Sequence, residues 1–123
     1  MSKTICWPSD FAQEVLDESP CSIRFAIRPG SLYYDTKYFK KGEQVDIRID
    51  SLIVRKAIIQ DELKLLQIKD LMQVHYNLLK KGINSQEKLI KFLSKRYNQQ
   101  ITEESQITLI AYMNMNLIHL KEN

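Results

Sequence analysis

The sequence predicts an α+β protein, a small mixed β-barrel carrying two or three peripheral helices. Three observations predict it. Ile23-Arg24-Phe25-Ala26-Ile27 and Val45-Asp46-Ile47-Arg48-Ile49 alternate in polarity, the period of strands with one buried face. The element order reads β-α-β-β-β-α-α-β, with too few strands for a sandwich and no βαβα alternation for a doubly wound sheet. The 123 residues, 44% hydrophobic and 27% charged, suit one soluble domain over residues 1–123 with a single core.

Taken in order, Thr4 to Trp7 reads as a first strand. Pro8-Ser9-Asp10 then supplies a helix start, and Phe11, Ala12, Val15 and Leu16 form its apolar stripe. Pro20 forbids continuation. The strand bearing Arg24 follows, with Ile23, Phe25 and Ile27 inward, and Arg28-Pro29-Gly30 closes it. Residues 30–41 read as a loop in which Tyr33, Tyr34 and Tyr38 lie among Lys37, Lys40 and Lys41. Such interleaving can stack on bases and hold phosphates; equally, a tyrosine there can simply cover the end of a barrel.

Gln44 to Asp50 and Ser51 to Ile59 read as a hairpin turning at Asp50-Ser51, with Asp46 and Arg48 outward. Gln67 to Leu79 reads as a helix with Ile68, Leu71, Met72, His75 and Leu78 or Leu79 on one face. Lys80 and Lys81 suit its C-terminus and Gly82 its end. Asn84 or Ser85 caps the next helix, with Glu87 completing a capping box. Leu89, Ile90, Phe92, Leu93 and Tyr97 face the core, and Lys88, Lys91 and Lys95 face water. Gln106 to Asn116 reads as the last strand, with Ile107, Leu109, Ala111, Met113 and Met115 on one side.

The net charge of +3 is unevenly spread, with +3 over residues 37–56 and +5 over 80–99. Such segments suit a phosphate-rich partner if the fold unites them, and are solvated surface if it does not. Two cysteines make no disulfide framework, and no secretory signal or membrane-spanning run is visible, so a cytoplasmic chain is expected. Cys6, Cys21, His75 and His119 have no zinc-ligand spacing. A Cys21–His pair is a formal nucleophile candidate, against the commoner roles of buried thiol and core histidine. No phosphate-binding loop motif occurs, and with three glycines no cofactor is expected.

Several of these stretches together resemble the ASCH domain of the PUA-like β-barrel superfamily. Ile5-Cys6-Trp7-Pro8-Ser9-Asp10-Phe11 resembles its opening, Phe39-Lys40-Lys41-Gly42-Glu43 its F-K-x-G-[DE] turn, and Gly82-Ile83-Asn84-Ser85 the start of its late helix. Its functional motif, G-x-K-x-x-[TE]-x-R, falls on Asp17, Ser19, Ser22 and Arg24. Arg24 matches and Ser22 is a mild replacement, but the glycine is aspartate and the lysine is serine. Small ASCH enzymes that cleave the acetyl amide of N4-acetylcytidine pair that lysine with a glutamate before the late helix. The glutamate position falls near Lys81.

Amide hydrolysis needs a base or nucleophile and an oxyanion partner, and Ser19 or Ser22 without a base is a weak nucleophile. The expected function is therefore a non-catalytic module with a basic cleft, binding RNA or a nucleotide. Arg24, Arg28 and Ser22 would lie in the cleft, with Lys37, Lys40, Lys41, Lys80 and Lys81 as a basic rim and Tyr33 as a stacking surface. The alternatives are a divergent amidohydrolase acting on a modified nucleoside through Ser22 or Ser19, and a protein-interaction domain.

Overall fold

The structure, a computed structural model, describes residues 3–118; His119 lies outside them. Its strands are β1 (Thr4–Trp7), β2 (Ile23–Pro29), β3 (Gln44–Ile49), β4 (Leu52–Ile59), β5 (Lys64–Gln67) and β6 (Gln106–Leu117). Its helices are α1 (Ala12–Asp17), α2 (Leu32–Asp35), α3 (Gln73–Asn77) and α4 (Gln86–Tyr97). The strands form one mixed sheet in the order β1-β3-β4-β6-β2, curled into a nearly closed barrel. β1 runs parallel to β3, and the other pairings are antiparallel. The long β6 is the organiser: β2 covers one of its edges, and β4 and β5 share the other.

The apolar positions of β1 and β3 are buried as a strand's period requires. Ile5, Val45, Ile47 and Ile49 are buried in the barrel. α4 starts at Ser85, whose Oγ accepts from the Lys88 N–H at 3.3 Å, so Ser85 and not Asn84 is the cap. Leu89 and Leu93 are fully buried beneath the helix, and Lys88, Lys91 and Lys95 face water. The Lys40-Lys41-Gly42 turn needs Gly42, which sits at φ +87 and donates its N–H to Ile59 O at 2.8 Å.

Three expectations are corrected along β2, β3 and the segment 67–79. Gln67 to Leu79 is not one helix. β5 pairs with β6, a 3₁₀ turn spans Ile68–Asp70, and only α3 is α-helical. Ile68 and Lys69 donate their N–H groups to Ser105 and Glu103 carbonyls, so pairing with a segment distant in sequence overrides the local apolar spacing. Asp46 is buried rather than outward, paired to Lys56 at 2.8 Å. Ile23 is 40% exposed, while Ala26 and Ile27 are both buried. The His75 ring of α3, 5.4 Å from the Phe25 ring, covers Phe25, and Ile23 lies past the start of that cover.

The face of β6 also departs from expectation beyond Leu109. Ile110, Tyr112 and Asn114 are the buried positions there, and Ala111, Met113 and Met115 are half-buried. Because Phe25 is itself half-buried, Phe25→Ala is expected to cost about 2 kcal/mol, less than the ~3–5 of a fully buried phenylalanine. A urea titration measures it, and a loss at the upper end would show that the His75 contact carries more than its area.

Candidate functional site

The site is built where the end of α1, the start of β2 and the segment before α4 converge on β6. Glu18 ends α1 with extended backbone, and Pro20 stops the helix. The chain then turns through Cys21, at φ +67, and locks onto β6: Cys21 N–H donates to Asn114 O at 2.7 Å, and Asn114 N–H to Ser22 O at 2.9 Å. On the other side, the Phe25 N–H donates to Leu78 O at 3.0 Å. That bond holds the segment before α4 along the edge of β2, where Lys80 reaches Glu18 and Lys81 reaches Glu14.

One carboxylate gathers the cluster. Glu18 Oε2 accepts from Lys80 Nζ at 2.8 Å and forms an ion pair with Arg24 Nε at 3.2 Å, and Oε1 accepts from Asn114 Nδ2 at 3.0 Å. Asn114 Nδ2 also reaches Ser22 Oγ at 3.1 Å. The Lys80 ammonium lies 3.4 Å from Tyr112 OH and 4.4 Å from the Trp7 ring centroid. The side chain of Lys80 is 0% exposed and that of Glu18 is 4% exposed, whereas Arg24 keeps 27%. Burial raises the Tyr112 pKa, with Lys80 opposing, so the phenol stays protonated. Satisfying a buried charge with opposite charge, hydrogen bonds and an aromatic face is what makes its burial tolerable.

Above this cluster opens a pocket of about 270 Å³ lined by Glu14, Asp17, Glu18, Ser19, Arg24, Asn77, Leu79 and Lys81. Its wall is fixed by the Glu14 carboxylate, which accepts the Lys81 backbone N–H at 3.0 and 3.1 Å. The lining places three carboxylates against two cations, which is a mixed pocket and not a basic groove.

The structure brings together Ser19, Arg24 and Lys81 of the sequence-selected residues. Ser22 lies behind the pocket, donating to Ser19 O and accepting from Asn114. Lys80 is no rim cation, since its ammonium is sealed against Glu18. Arg28 lines a different opening, with Cys6, Trp7, Arg96 and Tyr97. Lys37 belongs to a separate cavity with Tyr34, Asp35, Phe39, Glu62 and Leu63. Tyr33 packs edge-on to Tyr38 at 5.0 Å and parallel to Phe39 at 5.9 Å, which makes it a cover for the barrel end. Lys40 and Lys41 are exposed in the turn before β3 and do not line the Arg24 pocket.

Sequence reasoning missed Glu18, Tyr112, Asn114 and Asn77. Glu18 directly precedes Ser19, the motif's lysine position, and Lys80 directly precedes Lys81, the glutamate position. Cys21 is exposed in a groove with Pro20, Lys56 and Met113. His75 Nδ1 accepts the Met72 N–H at 2.9 Å. Burial, then the Lys64 charge, lowers its pKa, as suits a neutral structural histidine. Among the described residues no group of three or more His, Cys, Asp or Glu side chains is placed to hold a metal ion. No helix there is long and apolar enough to cross a membrane.

No family model matches the sequence, and no curated protein does. The fold does match solved structures. An ASCH domain from Lactobacillus crispatus superposes with a TM-score of 0.57 at 14% identity over 74% of this chain. A DUF984-family protein from Enterococcus faecalis superposes with a TM-score of 0.58 at 10% identity over 76% of this chain. The matches cover 63% and 61% of those chains. The barrel and these likenesses show an ASCH-like fold.

Proposed function

We propose that the Arg24 pocket binds a single amino-bearing nucleobase, from a nucleoside or from single-stranded RNA, without chemical turnover. The observation that carries this reading is the pocket's size and mixed lining. At about 270 Å³ it falls just under the ~300–1,000 Å³ of drug-sized ligand sites, which suits one base and part of its sugar. Its carboxylates repel phosphate but accept from an exocyclic amine, and Arg24 and Lys81 donate to a ring nitrogen or carbonyl. Splayed bases of single-stranded RNA are read in this way, on their Watson–Crick edges, and cytosine's N4 amine is a preferred carboxylate partner.

One observation favours the amidohydrolase alternative. The Glu18–Lys80 pair resembles, with charges interchanged, the lysine–glutamate pair of the small ASCH enzymes. Against it, the Ser22 partners are a carbonyl and an amide, neither of them a base, and the Lys80 ammonium is sealed from the pocket. Equilibrium titration with cytidine is the test. Arg24→Ala is expected to weaken binding about tenfold, the scale of one lost charge-assisted hydrogen bond, and Lys95→Ala to leave it unchanged. Equal effects from both substitutions refute the pocket. In the same samples N4-acetylcytidine should persist unhydrolysed, and turnover abolished by Ser22→Ala would establish the enzyme instead.

A further inference from the structure

The geometry points to a phosphate-binding step on the same strand, at Arg28 and Arg96, that holds the backbone of a single-stranded RNA whose base occupies the Arg24 pocket. This rests on the base-binding reading above. Arg24 and Arg28 share one face of β2, four residues apart, which separates them by about 13 Å. Arg28 converges with Cys6, Trp7, Arg96 and Tyr97 where α4 crosses the gap between β1 and β2. The lining there contains no carboxylate, in contrast to the Arg24 pocket. Neither Arg28 nor Arg96 is in an ion pair among the described residues, while Arg24 is held by Glu18.

The interior of this opening is about 10 Å³, too small for a ligand. The two guanidiniums therefore act from its rim, where Arg28 is half-buried and Arg96 exposed. Among the described residues Arg28 Nη1 donates to the neighbouring Ile27 O and its other donors make no hydrogen bond. In register beside Cys6, β3 carries Arg48, whose Nε is buried without a partner, and this adds to the local positive potential. The Arg96 guanidinium lies 6.0 Å from the ring centroid of Tyr97, which is itself packed against the core. The face of β2 is thus polarised: carboxylates at the Arg24 end select a base, and unpaired guanidiniums at the Arg28 end select its backbone.

The test compares cytidine with a fluorescently labelled cytidine trinucleotide over a range of salt concentrations. Two phosphate contacts give a log–log slope of about −1.4 for the trinucleotide, at roughly −0.7 per contact on a single strand; cytidine should show almost none. Arg28→Ala and Arg96→Ala should each weaken the trinucleotide about tenfold and halve its slope, with cytidine unaffected. Arg96 is exposed, so its variant stays informative if Arg28→Ala folds poorly. A trinucleotide that binds no tighter than cytidine, or slopes unchanged in both variants, overturns the phosphate step. Arg28- and Arg96-dependent trinucleotide binding without cytidine binding would sustain the step and refute the base pocket. Absence of binding by either ligand would refute both.

Discussion

Glu18→Ala is expected to cost about 3–5 kcal/mol, the penalty for removing one partner of a buried ion pair. The reason is what it leaves behind. Lys80 is 0% exposed, and its ammonium would keep only the Tyr112 hydroxyl at 3.4 Å and the Trp7 ring. Asn114 would lose its carboxylate acceptor, and Arg24 the group that aims it. Against a total stability of about 5–15 kcal/mol, such a loss is visible as a shift of the urea midpoint at unchanged slope. The discriminating variant is Glu18→Ala combined with Lys80→Met. If the cost of the single substitution is the stranded charge, the double variant is more stable than the single one, because an apolar chain of similar length replaces the unpaired ammonium. A double variant less stable than Glu18→Ala alone would mean that Lys80 is held by its other contacts and that the ion pair does not govern the local energetics.

The same network shows which parts of the molecule were legible in the sequence. The strands at Val45–Ile49 and the helix at 86–97 were readable because their signals are local, a period of two in the first and a cap, a stripe and exposed lysines in the second. The mixed barrel followed from the order of the elements along the chain. The stretch from Gln67 to Leu79 misled because its apolar residues fall at helical spacing, whereas its start pairs with β6, a partner some forty residues away. Lys80 misled for a related reason. In sequence it is one of two adjacent lysines before a glycine, the ordinary appearance of a helix end. Its burial is decided by Glu18, 62 positions earlier, and by Tyr112, 32 positions later. Arg24 was found because a charge on an alternating strand stands out, but its carboxylate partner was hidden at the end of a helix, where an acidic residue attracts no notice. Asn114 sits among half-buried methionines in β6, and only its buried phase, visible once the barrel is known, marks it as part of the site.

Arg55→Met is expected to be comparably damaging, at about 3–5 kcal/mol, although no carboxylate among the described residues forms an ion pair with it. The Arg55 side chain is fully buried and serves as an internal clamp. Nη1 donates to Val15 O at 2.9 Å and Glu18 O at 2.8 Å, while Nε and Nη2 donate to Met115 O at 3.2 and 2.6 Å. Val15 and Glu18 belong to the final turn of α1, where carbonyls have no intrahelical donor, and Met115 lies where the pairing of β4 with β6 is irregular. One guanidinium therefore satisfies three backbone acceptors from two elements, α1 and β6, and methionine would fill its volume but leave those carbonyls buried and unpaired at about 1–3 kcal/mol each. The substitution also loosens the end of α1 that presents Glu18, so its effect reaches the Arg24 pocket. Amide hydrogen exchange read with urea unfolding distinguishes the two consequences. The expected pattern is a global loss of stability together with faster exchange at Cys21 and Asn114, whose N–H groups hold the turn to β6. If stability falls while those two amides keep their protection relative to the rest of β6, Arg55 is a core element only, and the site is organised by Glu18 alone.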